Sequence, residues 1–399
     1  MLSIEDLKPD GKTILVRVDL NTPLDPKTKE LMELNRISEA AVTIRDLNKS
    51  KVVVVSHQGR VGRDDFVSLR QHAAALSKVL GYKVKFVEDI FGPAAIAEID
   101  ALSVGDVLML DNVRLTSEEN MEFTPEQAAN TILVQRLYKH FDACVLDAFP
   151  TAHRSCPSVV GFAELLPTSA GRLVAKELKA LSRILTMTKG TYTTVLGGAK
   201  ISDRLEAIDT LIENKRSDKV LLSGLIANIF LQACNKIDYQ FGIPNEEKYI
   251  KKALQLLTEY PDVFEMPVDV AIEVDGSRVE IPIGDLKPNQ KILDIGSKTI
   301  EIYSKIIRAS GTVFMSGPPG LFEDPRFSKG TEELLRAMSV SLGTTIVSGG
   351  HLSTALEKLG VKEWIDHVST AGGALVLFLA GKKLPLFEAL DRAFKRSLK

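Results

Sequence analysis

The stretch KVVVV at positions 51–55, four valines in a row behind one lysine, narrows the possible folds more than any other feature of the chain. A strand with one wet face alternates polar and apolar residues. An unbroken β-branched run must instead be covered on both sides, as in a parallel sheet sandwiched between helices. Parallel strands need crossover connections, and the flanking pattern supplies them. Residues 12–18 (KTILVRV) form a second run of the same type, and the segment 37–47 between the two carries apolar residues at helical spacing. The alternation continues with a helix over 68–80, strands over 83–87 and 107–110, a helix over 125–140 and a strand over 143–146. It resumes with strand 192–196, helix 202–214, strand 219–222, and helices 226–235 and 246–259. Short strands follow near 269–272, 278–282, 292–294, 312–315 and 344–347, with helices between most of them. The expected fold is α/β: two doubly wound, mostly parallel α/β/α sandwiches of Rossmann-like type.

With 399 residues the chain has room for roughly two or three domains of ~150 residues. The stretch ELLPTSAGRLVAKELKAL, 164–181, reads as a turn at Pro167-Thr168-Ser169 running into a helix. The first turn of that helix is Ala170-Gly171-Arg172, and Leu173, Val174, Leu178 and Leu181 recur at helical spacing. It is either an interdomain connector or an ordinary surface turn. Short motifs before it carry arginine and histidine and those after it carry glycine and lysine, which favours a connector, with domains over 1–168 and 169–383. Fifty basic against 52 acidic side chains, a net charge of −2, give no global pull toward nucleic acid or an anionic membrane, so any anion site is local. Cys144, Cys156 and Cys234 fall in no paired metal-ligand spacing and suit a reducing, cytoplasmic compartment. The start MLSIEDLKPDGK lacks the marks of a leader, and the most apolar later run, 374–380, is too short for a membrane span.

In sheets of this kind ligands bind beyond the carboxyl ends of the strands, and the unusual residues fall there. Asp19 and Asn21 follow the run ending at Val18, His57 and Arg60 follow Ser56, Arg114 follows Leu110, and His153 and Arg154 follow Leu146. Planar guanidinium groups suit phosphate and carboxylate oxygens, so Arg36, Arg60, Arg114 and Arg154 together would hold a small polyanion, with Asp19 and Asn21 receiving its hydroxyls. Singly, each arginine is equally a surface residue paired with a nearby acid. The second half offers glycines instead. Gly197-Gly198-Ala199-Lys200 joins a strand to a helix, where backbone N–H groups and a helix start can face phosphates beside the Lys200 charge; a mere tight turn is the alternative. It matches neither the Walker spacing nor the dinucleotide fingerprint. Similar junctions at 223–224, 316–320, 348–350 and 369–373 suggest a nucleotide along the sheet edge, with Glu323 toward its ribose.

Taken in order, the motifs RVDLNTP (17–23), NRI (35–37), SHQGR (56–60), DNVR (111–114), DAFPTAHR (147–154), GGAKISD (197–203), GPPGLFE (317–323) and Leu384-Pro385 resemble the phosphoglycerate kinase family, of archaeal type, over essentially the whole chain. The resemblance implies that Asp19, Asn21, Arg36, His57, Gln58, Gly59, Arg60, Arg114 and Arg154 bind 3-phosphoglycerate or 1,3-bisphosphoglycerate. It implies that Gly198, Lys200, Arg204, Gly224, Gly349, Gly350, His351 and Leu352 hold ADP or ATP with its Mg2+, and that Glu323 meets the ribose. It also returns the C-terminal helix, 384–399, to the first domain. The reaction so implied is phosphoryl transfer between an acyl phosphate and ADP, in a monomer or homodimer, with Arg36 and Lys200 making contacts mainly in the transition state. In-line transfer needs reacting atoms within ~3–3.5 Å, so a hinge is expected in the connector, with Ser169, Ala170 and Gly171 absorbing the rotation.

Some positions depart from the family pattern. The usual Gly-Gly-Gly-Asp-Thr run is Ser348-Gly349-Gly350-His351-Leu352, so the aspartate associated with Mg2+ is a histidine, a poor ligand for an ion that prefers oxygen. His351 is then expected to meet phosphate or water in the first helical turn, and Asp203 to serve the metal directly or through water. Arg204 stands where a second lysine is usual, and Ser316 and Ala371 where Asn and Gly are usual. Two other readings remain at this stage. One is a non-catalytic, nucleotide-sensing relative on the same scaffold. The other is an NAD-linked dehydrogenase, which the missing fingerprint disfavours.

Overall fold

The computed structural model describes residues 1–187, 190–214, 217–237, 243–288, 290–369 and 371–398, the side chains of 183–187 and 203 excepted. It divides into two compact units, Met1–Lys179 with Lys383–Lys399, and Ala180–Lys382. The first unit holds β1 (Thr13–Val18), β2 (Lys51–Val55), β3 (Val84–Phe86), β4 (Val107–Met109), β5 (Ala143–Asp147) and β6 (Thr168–Ala170), in the order β3-β4-β2-β1-β5-β6. Every pairing is parallel, β1 lying between β2 (Thr13↔Lys51) and β5 (Ile14↔Ala143). Helices Asn35–Asp46 and Arg70–Leu80 cover one face of the sheet, and their Ile37, Ile44, Leu76 and Leu80 join Val16, Val52 and Val54 in one core; Val53 and Val55, which alternate to the other face, are buried as well, as the valine run requires.

The second unit repeats the plan with β7 (Tyr192–Leu196), β8 (Lys219–Leu222), β9 (Phe264–Glu265), β13 (Thr312–Ser316), β14 (Thr344–Ser348) and β15 (His367–Ser369), ordered β15-β14-β13-β7-β8-β9 and wholly parallel. A separate antiparallel sheet, β11-β10-β12, is made by β10 (Asp269–Val274), β11 (Ser277–Pro282) and β12 (Asp294–Ile295). Its hairpin turns at Asp275 and Gly276, both with positive φ, the pair that a tight two-residue turn demands. Among the described residues no helix is long and apolar enough to cross a membrane.

The structure corrects the connector. Residues 168–170 are a buried strand paired with β5 (Cys144↔Thr168), not a turn and a helix start; the helix runs Arg172–Met187. A Cβ on Gly171 would lie 2.3 Å from the Asp147 carboxyl carbon. That carboxylate caps the helix: Oδ1 accepts the Val174 N–H at 3.0 Å, and Oδ2 accepts the Thr43 hydroxyl at 2.6 Å. Ser169, Ala170 and Gly171 are thus buried and packed, and the two compact units divide at 179/180, inside the helix. The helix expected over 125–140 is likewise broken into Pro125–Ala129, Ile132–Leu137 and a 3-10 turn Tyr138–His140, because Thr131 is extended. The C-terminal helix Pro385–Ser397 packs in the first unit, where the Leu386 N–H donates to Ala152 O (3.1 Å) and Arg392 Nε to Glu164 Oε1 (2.6 Å).

Candidate active site

In the first unit the loops after β1, β2, β4 and β5 share one sheet edge and tie one another together. Asp19 is buried, its Oδ2 2.7 Å from Arg36 Nη1 and its Oδ1 accepting the Asn21 N–H at 2.9 Å. Burial raises its carboxyl, but Arg36, the Asn21 N–H and its other neighbours together outweigh that and hold it at about 2. Asn21 Oδ1 accepts the Gly59 N–H at 2.8 Å. Gly59 has φ +67°, and a Cβ there would lie 2.3 Å from Asp65 O, so no other residue fits. Arg114, buried, donates through Nη1 to Gly59 O; burial and the neighbouring Arg154 and Arg17 lower its guanidinium to about 10. Arg114 and Arg17 are buried and Arg154 half-buried, and three cations so close leave a strongly positive spot for an anion. His57 is buried as well. Burial, with Arg17, Arg114 and Arg36, pushes its pKa well below the ordinary value against the pull of Asp19, so the ring is neutral at pH 7.

Arg36, Asp19, Asn21, His57, Gly59, Arg114 and Arg154 are therefore brought together, with Arg60 exposed at the rim. Gln58 is buried among these loops. Its Oε1 accepts the Thr22 N–H (2.9 Å) and faces His72 Nε2 (3.0 Å), while its Nε2 donates to Thr22 O (3.0 Å) and Asp65 O (3.3 Å). With its amide spent, it braces two loops. Sequence reasoning missed Arg17 and Asn112. Asn112 Oδ1 accepts the Gln58 and Arg114 N–H groups, and its Nδ2 donates to Gln58 O and Val67 O at 2.8 Å.

The glycines of the second unit fall into two kinds. A Cβ on Gly197 would lie 2.5 Å from Pro318 O, on Gly317 2.3 Å from Gly197 O, and on Gly224 2.6 Å from Gly198 N. These residues let the loops after β7, β8 and β13 interlock. Their N–H groups are spent there as well: Gly197 on Ser316 O (2.9 Å), Gly198 on Pro318 O (2.9 Å), and Gly224 on Pro319 O (3.1 Å). The N–H groups of Gly198 and Gly224 are thus engaged between the loops, and the two glycines shape this edge of the sheet. Arg204, buried, donates from Nε to Gly197 O at 3.2 Å and fastens the same loop. Gly349, Gly350 and Gly372 are the other kind, with nothing within 4 Å of a Cβ. Gly349 (φ 116°) precedes the helix Gly350–Leu359 without a side-chain cap, so the first-turn N–H groups of Gly350, His351 and Leu352 have no acceptor within the helix. His351, exposed, has Nδ1 3.5 Å from Glu323 Oε1, and Lys200 is exposed at the start of the helix Ile201–Glu213. The side chain of Asp203 and all of Thr370 lie outside the described residues. Among the described residues no cluster of three His, Cys, Asp or Glu is placed to hold a metal ion.

Guanidinium groups gathered at the sheet edge of one unit, and glycine-fronted helix starts in the other, mark an α/β phosphotransferase. The family model described as "Phosphoglycerate kinase" matches residues 4–382. The phosphoglycerate kinase of Methanothermobacter thermautotrophicus is 43% identical over 398 residues, 98% of this chain and 97% of that one. That of Sulfolobus acidocaldarius is 42% identical over 401 residues, 97% and 95% of the two chains. The crystal structure of phosphoglycerate kinase from Pyrococcus horikoshii superposes with a TM-score of 0.89 at 36% identity, covering 99% of this chain and 100% of that one. The chain belongs to the phosphoglycerate kinase family, enzymes that transfer a phosphoryl group with a carboxyl group as acceptor.

Proposed function

We propose that this chain moves a phosphoryl group reversibly between 1,3-bisphosphoglycerate and ADP, forming 3-phosphoglycerate and ATP in glycolysis and running backwards in gluconeogenesis. The observation that carries the reading is the buried arginine, neutral histidine and ionised aspartate cluster of the first unit, a site fitted to a small acid bearing phosphate and hydroxyl groups. Arg114 and Arg154 take the phosphate at one end of phosphoglycerate, Asp19 and Asn21 its hydroxyl, and Arg36 the carboxyl end where transfer occurs.

The chemistry asks little of proton transfer. In the ATP-consuming direction a carboxylate oxygen attacks the γ-phosphorus, the bond to the β–γ bridging oxygen breaks, and ADP leaves with the electron pair. The carboxylate is ionised at pH 7, so no general base is required, and catalysis consists of alignment and charge neutralisation. Arg36, held by Asp19, and Lys200 neutralise the transferred group, while the N–H groups of Gly350, His351 and Leu352 receive nucleotide phosphates. Arg204 supports the neighbouring loop, and Glu323 reads the ribose. Mg2+ arrives with the nucleotide as part of the substrate. For in-line transfer both ligands must meet within ~3–3.5 Å, so closure on the two substrates is part of the reaction. The three free cysteines suit the reducing cytoplasm.

The test is incubation with 3-phosphoglycerate and Mg-ATP, with ADP as readout. Rapid ADP formation that depends on phosphoglycerate is expected. Binding of both ligands without turnover would overturn the assignment in favour of a nucleotide-sensing protein.

A further inference from the structure

Behind His57 lies a line of buried polar side chains that the reaction leaves unused: Arg17 on β1, Glu119 in the 3-10 turn Glu118–Asn120, and Ser158 in the π-helical turn Pro157–Gly161. Burying this much polarity is costly unless every group is matched, and here the matching runs in one direction. Glu119 Oε2 accepts the Ser158 N–H at 3.0 Å. Its Oε1 accepts the Ser158 hydroxyl at 2.5 Å and the Cys156 thiol at 3.0 Å. Ser158 Oγ has given its only proton to Glu119 and can only accept from Arg17 Nε, 2.8 Å away. Arg17 has donors alone, and its Nη2 lies 3.2 Å from His57 Nδ1. Nδ1 is therefore the acceptor, and the proton of a neutral ring sits on Nε2.

We propose that Glu119, Ser158 and Arg17 are positioning residues that fix His57 as its Nε2–H tautomer, so that the ring presents a donor to an anionic oxygen of phosphoglycerate. The opposite tautomer would turn a lone pair toward the anion and leave Arg17 facing another N–H. Burial and the charged groups around the ring, Asp19, Arg17, Arg114 and Arg36, keep it neutral; which nitrogen carries the proton is fixed, among the described residues, by the Arg17 contact. The inference rests on the reading that the first unit binds phosphoglycerate.

Two measurements on the intact chain test it. In histidine-labelled protein, nitrogen-15 NMR is expected to show His57 with Nε2 protonated and Nδ1 bare; an Nδ1–H ring would overturn the proposal without any variant. In steady-state kinetics, Ser158→Ala is expected to raise KM for 3-phosphoglycerate about three- to tenfold, leaving kcat and the Mg-ATP KM within about twofold. His57→Gln places an amide donor near the Nε2 position with no tautomer to set, so adding Ser158→Ala to it should change KM less than about twofold. An equal penalty in both backgrounds would make Ser158 merely structural and sink the relay. A wild-type His57 resonance that 3-phosphoglycerate leaves unmoved would count instead against the functional reading itself.

Discussion

Asp19, His57 and Arg114 in the first unit are 5 %, 3 % and 6 % exposed, whereas His351 and Glu323 in the second keep 63 % and 57 % of their side-chain surface in solvent. The first half-site is assembled during folding: charges are desolvated, paired and hydrogen-bonded before a ligand arrives. The second, as proposed, would rely on backbone N–H groups at a helix start, which need an uncrowded rim and little from the side chains. This difference explains how His351 can stand where a family aspartate is usual, since an exposed first-turn side chain contributes less than the peptide groups beneath it. It also implies that mutations in the two halves fail differently. In the first, activity and stability fall together; in the second, they come apart.

The sharpest contrast is expected between the two cations. Arg36→Ala removes the partner of a buried carboxylate, so kcat/KM should fall about 10³-fold and stability by about 3 kcal/mol at pH 7, read by coupled assay and urea unfolding. Lys200→Ala should lower kcat about 10²-fold with nucleotide affinity nearly kept and the melting temperature unchanged. A comparable melting loss in both variants would break the comparison. Next come the two kinds of glycine. Gly317→Ala drives a Cβ to 2.3 Å from Gly197 O at φ +83° and should cost about 2–3 kcal/mol of stability. Gly350→Ala meets nothing within 4 Å and should leave the melt unchanged while raising the Mg-ATP KM severalfold.

The smallest effect on activity is expected at Asp147, where burial outweighs the Thr43 and backbone hydrogen bonds and lifts the carboxyl to about 6. Between the unfolded value near 3.8 and the folded value the native state holds a proton that the unfolded chain has lost, so this group stabilises the fold most below pH 4. Its contribution falls as pH rises to 6 and is flat above. Asp147→Asn should abolish that slope, by at most about 3 kcal/mol, with turnover unaltered. Urea midpoints at pH 4.5 and 7.5 report it, and a variant that keeps the wild-type slope would contradict the assignment.

Much of this architecture was legible because two-sided burial writes itself into composition: the valine run could hardly be anything but a central parallel strand. β6 was not, since Thr168, Ser169 and Ala170 carry no apolar pattern and become a strand only through β5. The side sheet had a local mark, Asp275-Gly276, that went unread amid the parallel pattern. At the site, strand-end logic found the residues that reach outward. It missed Arg17, hidden inside an apolar run, because an arginine in a core strand has meaning only once Ser158 and His57 are beside it. It also treated all glycines alike; whether a glycine is crowded by another loop or open at a helix start depends on contacts tens of residues away.

The division of labour between the units is tested most directly by calorimetric titration of one variant, Arg36→Ala, with each ligand in turn. Affinity for 3-phosphoglycerate should fall at least about tenfold while that for Mg-ATP stays within about twofold. Equal losses for both ligands, or undiminished phosphoglycerate binding, would contradict it.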